Sequence, residues 1–114
     1  MKQDNCIFCN LNKIKSEVTL HNADVVSFEP LNPVTPGHRI YVPTKHVTDF
    51  WDDPDTFAEV CRVVSLATSG LGEYNVITSK GKNATQSVFH LHVHVVPRTE
   101  GDGLHLPWTG QLIK

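Results

Sequence analysis

The run His90-Leu91-His92-Val93-His94-Val95-Val96 places three imidazoles at alternate positions in an otherwise aliphatic stretch. Successive side chains of an extended chain point to opposite faces, so the three rings share one face and Leu91, Val93 and Val95 the other. Near neutral pH each ring can be uncharged, with one nitrogen donating and the other accepting. Such a row suits binding a phosphate, moving protons or holding a metal. A lone strand histidine is usually structural. Three in strict alternation are poorly suited to being mere core, and a metal-only site is the plainer alternative. Cys6 and Cys9 add a C-x-x-C pair near the N-terminus. Cys61 stands alone in a helical pattern and reads as a small buried apolar residue. Three cysteines argue against a secreted disulfide framework, and the pair lacks the βαβ surroundings of a redox motif.

The elements that must position these groups are legible in outline. A chain of 114 residues suits one compact domain, taken as residues 1–114. Apolar content of 39%, charged content of 19% and a net charge of −2 describe an ordinary globular protein. Basic residues are scattered and acids outnumber them, which argues against a nucleic-acid partner held by a basic surface. No apolar run approaches the roughly 20 residues of a membrane span, so no membrane partner is expected. Residues 1–10 do not read as a signal peptide, and a cytoplasmic location is expected.

Val18–His21 and Val25–Phe28 read as a hairpin across Asn22-Ala23-Asp24. Residues 6–14 hold the C-x-x-C in a short helix or turn. Pro30, Pro33, Pro36 and Gly37 make residues 30–38 an ordered loop. Arg39–Val42 alternates as a third strand, ended by Pro43. Asp53-Pro54 is an N-cap with proline at the first helical position. Phe57, Val60, Cys61, Val64, Ala67 and Leu71 then form one apolar helix face, closing near Gly70 and Gly72. Glu73–Ser79 reads as a fourth strand, Lys80–Ala84 as a turn, and Val88–Val96 as a fifth strand stopped by Pro97. Residues 98–114 read as irregular. One long helix set apart from five strands predicts an α+β fold with a mostly antiparallel sheet.

Here the residues resemble a known family. Gln86 to Arg98 is similar to the histidine-triad (HIT) signature, H-φ-H-φ-H-φ-φ with φ apolar. Asn32 to His46 is similar to that family's upstream P-x-x-P-G-H-x-x-x-x-P-x-x-H block. The Cys6–Cys9 pair resembles the zinc half-site of many bacterial members, and the closest likeness is to the bacterial Hint branch. The resemblance implies a single-domain HIT-like fold and a nucleotidyl hydrolase or transferase acting on purine nucleotide conjugates. The middle histidine, His92, would be the nucleophile, oriented by a hydrogen bond to the His90 carbonyl. His94 would contact phosphate oxygens, and His90 would act beside the nucleophile. Ser87 would assist the leaving group, the plain alternative being a solvent-facing strand residue. Gln86, Asn32, Ser79 and His38 would contact substrate. For His38 a purely structural role is an equal alternative.

The same resemblance implies structural zinc on Cys6, Cys9, His46 and His90, a reduced metal-free pair being the alternative. It further implies a homodimer with joined sheets, toward whose partner site Leu106-Pro107-Trp108 would reach. Two departures stand out. Family members often carry an acid before the Pro-rich block to hold the ribose hydroxyls; Pro30 stands there, with Glu29 and Asn32 adjacent. Ser79 stands where the family has asparagine. Phe8, Phe28 and Ile40 line a base pocket or belong to the core. The competing functions are a dinucleoside polyphosphate hydrolase, which uses the same triad, and a nucleotide- or zinc-binding regulator with little activity. The Gln-Ser pair leans toward phosphoramidates.

Overall fold

Period-two burial organises the sheet. The computed structural model describes residue 3 and residues 5–109. The last five residues of the expected irregular tail lie outside the described residues. In chain order come a 3₁₀ turn at Leu11–Lys13, β1 (Thr19–Leu20), β2 (Val25–Phe28), β3 (Arg39–Pro43), α1 (Pro54–Ala67), β4 (Tyr74–Ile77), a second 3₁₀ turn at Lys82–Ala84, and β5 (Val93–Pro97). The sheet order is β1-β2-β3-β5-β4, and every pairing is antiparallel. The class is α+β, as the pattern predicts.

Alternation along β2 and β3 sends Val25 and Tyr41 to one face and Val26, Phe28, Ile40 and Val42 to the other. All four β2 residues are buried because both faces are covered. The first face packs on Val60, Val63 and Val64 of α1, together with Leu91, Val93 and Val95. The second face is closed by Phe8 and, partly buried, Leu11, Ile14, Val18 and Val88. The N-terminal segment thus serves as a lid on the face opposite the helix.

The helix begins as its sequence dictates. Asp53 caps it by accepting from Thr56 N–H, and Pro54 follows. Its buried stripe is Val60, Val63 and Val64. Cys61 is half-buried, and Ala67 and Leu71 are exposed. Leu71 falls outside because the helix stops at Ala67, where Thr68 turns its hydroxyl back to the Val64 carbonyl and meets Tyr74 Oη.

The fifth strand is shorter than its sequence suggests. It runs Val93–Pro97, not 88–96, and residues 86–92 are irregular. The reason lies in its neighbour. β3 ends at Pro43, which has no N–H for a ladder, and the Pro43 carbonyl accepts from the His90 ring. Leu91 N–H goes instead to the Val47 carbonyl at 2.6 Å. The fourth strand is trimmed likewise, from 73–79 to Tyr74–Ile77, and the Thr78 hydroxyl then donates to the His92 carbonyl. The expected N-terminal helix is a turn over residues 5–9 followed by the first 3₁₀ turn. Beyond β5, Arg98 bonds Asp102, the Leu104 carbonyl and Asn75, tying the tail to β4. No helix among the described residues is long and apolar enough to cross a membrane.

Asp53 also meets Lys45 Nζ at 2.8 Å, in an exposed pair that contributes little. Asp53→Ala should therefore lower the thermal midpoint by about 4 °C, mainly from the lost cap. A midpoint unchanged in calorimetry would show the cap to be idle.

Candidate active site and metal centre

Backbone groups decide which nitrogen of each ring carries the proton. His92 Nδ1 lies 2.8 Å from the His90 carbonyl, which can only accept. Neutral His92 therefore keeps its proton on Nδ1 and leaves the Nε2 lone pair free. His90 Nε2 donates to the Pro43 carbonyl at 2.8 Å, so its Nδ1 is the lone-pair nitrogen. Val34 N–H donates to His38 Nδ1 at 3.1 Å. The His38 proton is thus on Nε2, which meets His94 Nδ1 at 2.9 Å. His94 accepts there and carries its own proton on Nε2. The result is one ring with a free lone pair, His92, packed at 5.2 Å between centroids against one with a free N–H, His94.

His38 reaches His94 because the Pro36-Gly37-His38 turn leads directly into β3. Gly37 has φ +88°, and a Cβ there would come 3.2 Å from Pro97 Cγ. Glycine allows both the left-handed backbone and the close approach. The His92 backbone is held by the Thr78 hydroxyl on its carbonyl.

Burial keeps this row uncharged. His90 and His94 are each pushed down to about 4, mainly by desolvation, with neighbouring imidazoles adding to the shift. His92 is lowered by burial against the opposing pull of its bond to the His90 carbonyl. His38 is also lowered by burial, partly offset by Glu29.

Four donors converge at the end of the row. Cys6 Sγ and Cys9 Sγ lie 3.4 and 3.5 Å from His90 Nδ1, and Cys9 Sγ lies 3.2 Å from His46 Nδ1. The four ligand atoms are all within 4.8 Å of one another. A tetrahedral ion with Zn–S of about 2.3 Å and Zn–N of about 2.0 Å sets S···N edges near 3.5 Å, so the donors fit such an ion. The free lone pair on His90 Nδ1 points the same way. These four residues could hold a metal.

Beside the row runs a slot of about 600 Å³, walled by Phe8, Ile14, Phe28, Ile40 and Val88, with Lys13, Lys15 and Glu29 also on its lining. Ser87 and Phe8 belong to this lining, and the Phe8 ring centroid lies 5.2 Å from that of His92.

Comparison with known proteins shows the family. The HIT domain model matches residues 12–101. The chain belongs to the HIT family. An uncharacterized HIT-like protein of Methanocaldococcus jannaschii is 35% identical over 108 residues, covering 86% of this chain and 82% of that protein. An adenosine 5′-monophosphoramidase of Saccharomyces cerevisiae is 32% identical, covering 93% and 71%. The crystal structure of a histidine triad nucleotide-binding protein from Candida albicans superposes with TM-score 0.80 at 26% identity, covering 96% and 87%.

Within this HIT chain, the expected residues fall into three places. His38, His90, His92 and His94 form one contiguous row, and Cys6, Cys9 and His46 join it at the His90 end. Ser87 is exposed at the slot. Gln86 is buried with its amide committed: Oε1 accepts from Gly81 N–H, and Nε2 donates to the Thr48 and Val88 carbonyls. It clamps the 81–88 loop rather than facing outward. Asn32 is exposed, and Glu29, Pro30 and Leu31 line the slot in its stead; Ser79 is half-buried, outside that lining. Phe8, Phe28 and Ile40 serve as both core and slot wall.

Two contributors escape sequence reading. Thr78 was legible only as an alternating strand residue. Thr85, the sole non-glycine with positive φ among the described residues, sits at +70° just before Gln86. A β-branched residue there carries backbone strain on the order of 1–3 kcal/mol, and nothing in its local sequence signals it.

The buried rings set a pH dependence. His94 titrates near 4 when folded and near 6.5 when unfolded, so the unfolded chain binds more protons between those values. Stability should fall as pH drops from about 6.5 to about 4, with His94 contributing about 2 kcal/mol after allowance for its residual solvent contact. Denaturant melts across this window should show a shallower slope in His94→Gln; an unchanged slope would mean that the ring is not held neutral.

Proposed function

We propose that the chain is a HIT-type nucleotidyl hydrolase or transferase that releases a nucleoside monophosphate from purine phosphoramidates or adenylated conjugates, through a covalent nucleotidyl-histidine on His92. The observation that carries this reading is the Nδ1–H bond from His92 to the His90 carbonyl, which leaves a neutral ring with its Nε2 lone pair unspent. The Saccharomyces relative's name, an adenosine 5′-monophosphoramidase, supports the substrate class.

The chemistry then follows from tautomers. His92 Nε2 attacks the α-phosphorus, a P–Nε2 bond forms, and the bond to the leaving group breaks. The ring becomes cationic as it attacks, and the His90 carbonyl accepting from Nδ1 steadies that charge. The Nε2–H of His94, fixed by His38, donates to a non-bridging phosphate oxygen. The Ser87 hydroxyl passes its proton to the departing group, so an amine leaves neutral. Water then attacks phosphorus and returns a proton to Ser87, the P–Nε2 bond breaks, and the monophosphate leaves with His92 neutral again. Splitting one displacement into two is ordinary covalent catalysis. The apolar slot takes the base by packing, with Ser87 at its lining.

Cys6, Cys9, His46 and His90 would hold zinc in a closed Cys2His2 set that contributes structure and no open coordination position. We read the outer edge of β4, where Val76 and Ile77 are 51% and 37% exposed, as the place where a second copy extends the sheet. Leu106-Pro107-Trp108 would then reach toward the partner's site.

Purified protein given adenosine 5′-phosphoramidate should release AMP, and His92→Ala should lower that rate by about 10³-fold or more. An adduct heavier by one adenylyl group should be trapped by intact mass in wild type only. Equal turnover by wild type and His92→Ala would remove His92 from this role, and faster turnover of a dinucleoside triphosphate would move the chain to that substrate class. Elemental analysis should find about one zinc per chain, lost when Cys6 and Cys9 are both serine. Metal-free wild type prepared without chelator would end the zinc assignment.

A further inference from the structure

We propose that Gln86 is a positioning residue whose side-chain amide holds Ser87 toward the group that leaves phosphorus, on the same short segment that anchors the chain beside His92. The inference rests on the reading of Ser87 as proton donor and adds what fixes that donor in place.

Ser87 has no anchor of its own. It is exposed at the slot, and neither its hydroxyl nor its main chain has a hydrogen-bond partner among the described residues. No ladder holds it, because β5 begins only at Val93. Its place is therefore set by its two neighbours. Val88 is half-buried against the cluster that contains Phe8 and Phe28. Gln86 is 4% exposed and makes three side-chain hydrogen bonds.

Those bonds run in two directions. Toward the preceding loop, Oε1 accepts from Gly81 N–H at 2.8 Å, while Gln86 N–H donates to the Gly81 carbonyl at 3.1 Å. Toward the sheet, Nε2 donates to the Thr48 carbonyl at 2.8 Å and, across Ser87, to the Val88 carbonyl at 3.2 Å. Next to Thr48, the Val47 carbonyl takes Leu91 N–H at 2.6 Å, one residue before His92. The chain at Ser87 and the chain at His92 are thus both referred to the dipeptide Val47-Thr48. One acceptor toward Gly81 and two donors toward Thr48 and Val88 are the inventory of a glutamine amide. Methionine has a similar length and offers no such donors.

The step that depends on this mount is departure of the leaving group. A proton moves from Ser87 Oγ to the leaving nitrogen as the P–N bond breaks with its electron pair on nitrogen. The test gives the full chain two adenylyl conjugates. One is an alkyl phosphoramidate of AMP, whose amine needs that proton. The other is the p-nitrophenyl ester of AMP, whose nitrophenolate leaves without it. Ser87→Ala should lower the ratio of amine to nitrophenolate turnover by about 10²-fold, and Gln86→Met should lower it by about tenfold. In the double variant the ratio should fall no further than in Ser87→Ala alone, because a displaced donor and a missing one share one effect.

Equal losses on both conjugates in Gln86→Met would mark a general disturbance and overturn the proposal, as would a ratio that falls multiplicatively in the double variant. A second arm needs no substitution and stands even if Gln86→Met fails to fold. In ¹⁵N-labelled wild type the Gln86 side-chain amide protons should exchange with deuterated solvent at least about tenfold slower than those of exposed Asn32. Equally fast exchange would show the clamp to be absent and defeat the inference. If Ser87→Ala lowers the ratio and Gln86→Met does not, the reading of the site stands and this inference alone falls. If Ser87→Ala leaves the ratio unchanged, the role of Ser87 falls and takes the inference with it.

Discussion

Neutral imidazoles held by backbone groups are the constraint on which the rest depends. Four rings packed in a row cannot all be charged, and a buried neutral ring is useful only if its proton sits on the right nitrogen. The His90 and Pro43 carbonyls and the Val34 N–H settle that question for His92, His90 and His38, and the His38 bond settles it for His94. Backbone acceptors and donors cannot exchange roles, so the pattern propagates without ambiguity. Burial adds the second half by disfavouring protonation of the same rings.

That arrangement explains why the sheet is built as it is. β5 must run beside β3 far enough to set His94 opposite Ile40, and must then leave the ladder so that the His90 ring can reach the Pro43 carbonyl. Pro43 ends β3's hydrogen bonding where this departure occurs. Gln86 supplies from its side chain the connections that the missing ladder would have made, joining the 81–88 loop to Thr48. The helix face carries packing, through Leu91, Val93 and Val95, while the candidate site lies on the opposite face. The N-terminal C-x-x-C segment covers that face, so one short turn contributes core, slot wall and two thiols together.

Alternation was the strongest signal, and it outlived the secondary structure inferred from it. Residues 88–92 are not a strand, yet His90, His92 and His94 still share a face and Leu91 and Val93 the other. Single bonds hold these residues where no ladder pairs them: the His90 ring to the Pro43 carbonyl and Leu91 N–H to the Val47 carbonyl. The helix start at Asp53-Pro54 was equally legible because cap chemistry is local. The helix end was not: Leu71 fits the helical period, but the turn made by Thr68 and Tyr74 closes the helix first. Ser87 could be singled out from its place before the triad, whereas the inward clamp made by Gln86 depends on a loop 38 residues away in sequence.

The chain's own pattern of residues determined the α+β class, the strand order along the chain, the helix start and the shared histidine face, whereas the set of candidate ligands came from the resemblance to the family. The former follow from local chemistry or from periods of two and 3.6, which neighbouring residues alone can express. Tertiary structure alone decided which nitrogen of each histidine holds the proton, that His90 turns toward the cysteines while His92 faces Phe8, and that Thr85 adopts a left-handed backbone. These depend on single carbonyls, N–H groups and rings brought from distant parts of the chain. A hydrogen-bond partner 47 residues away, as Pro43 is from His90, leaves no mark on the residues beside it.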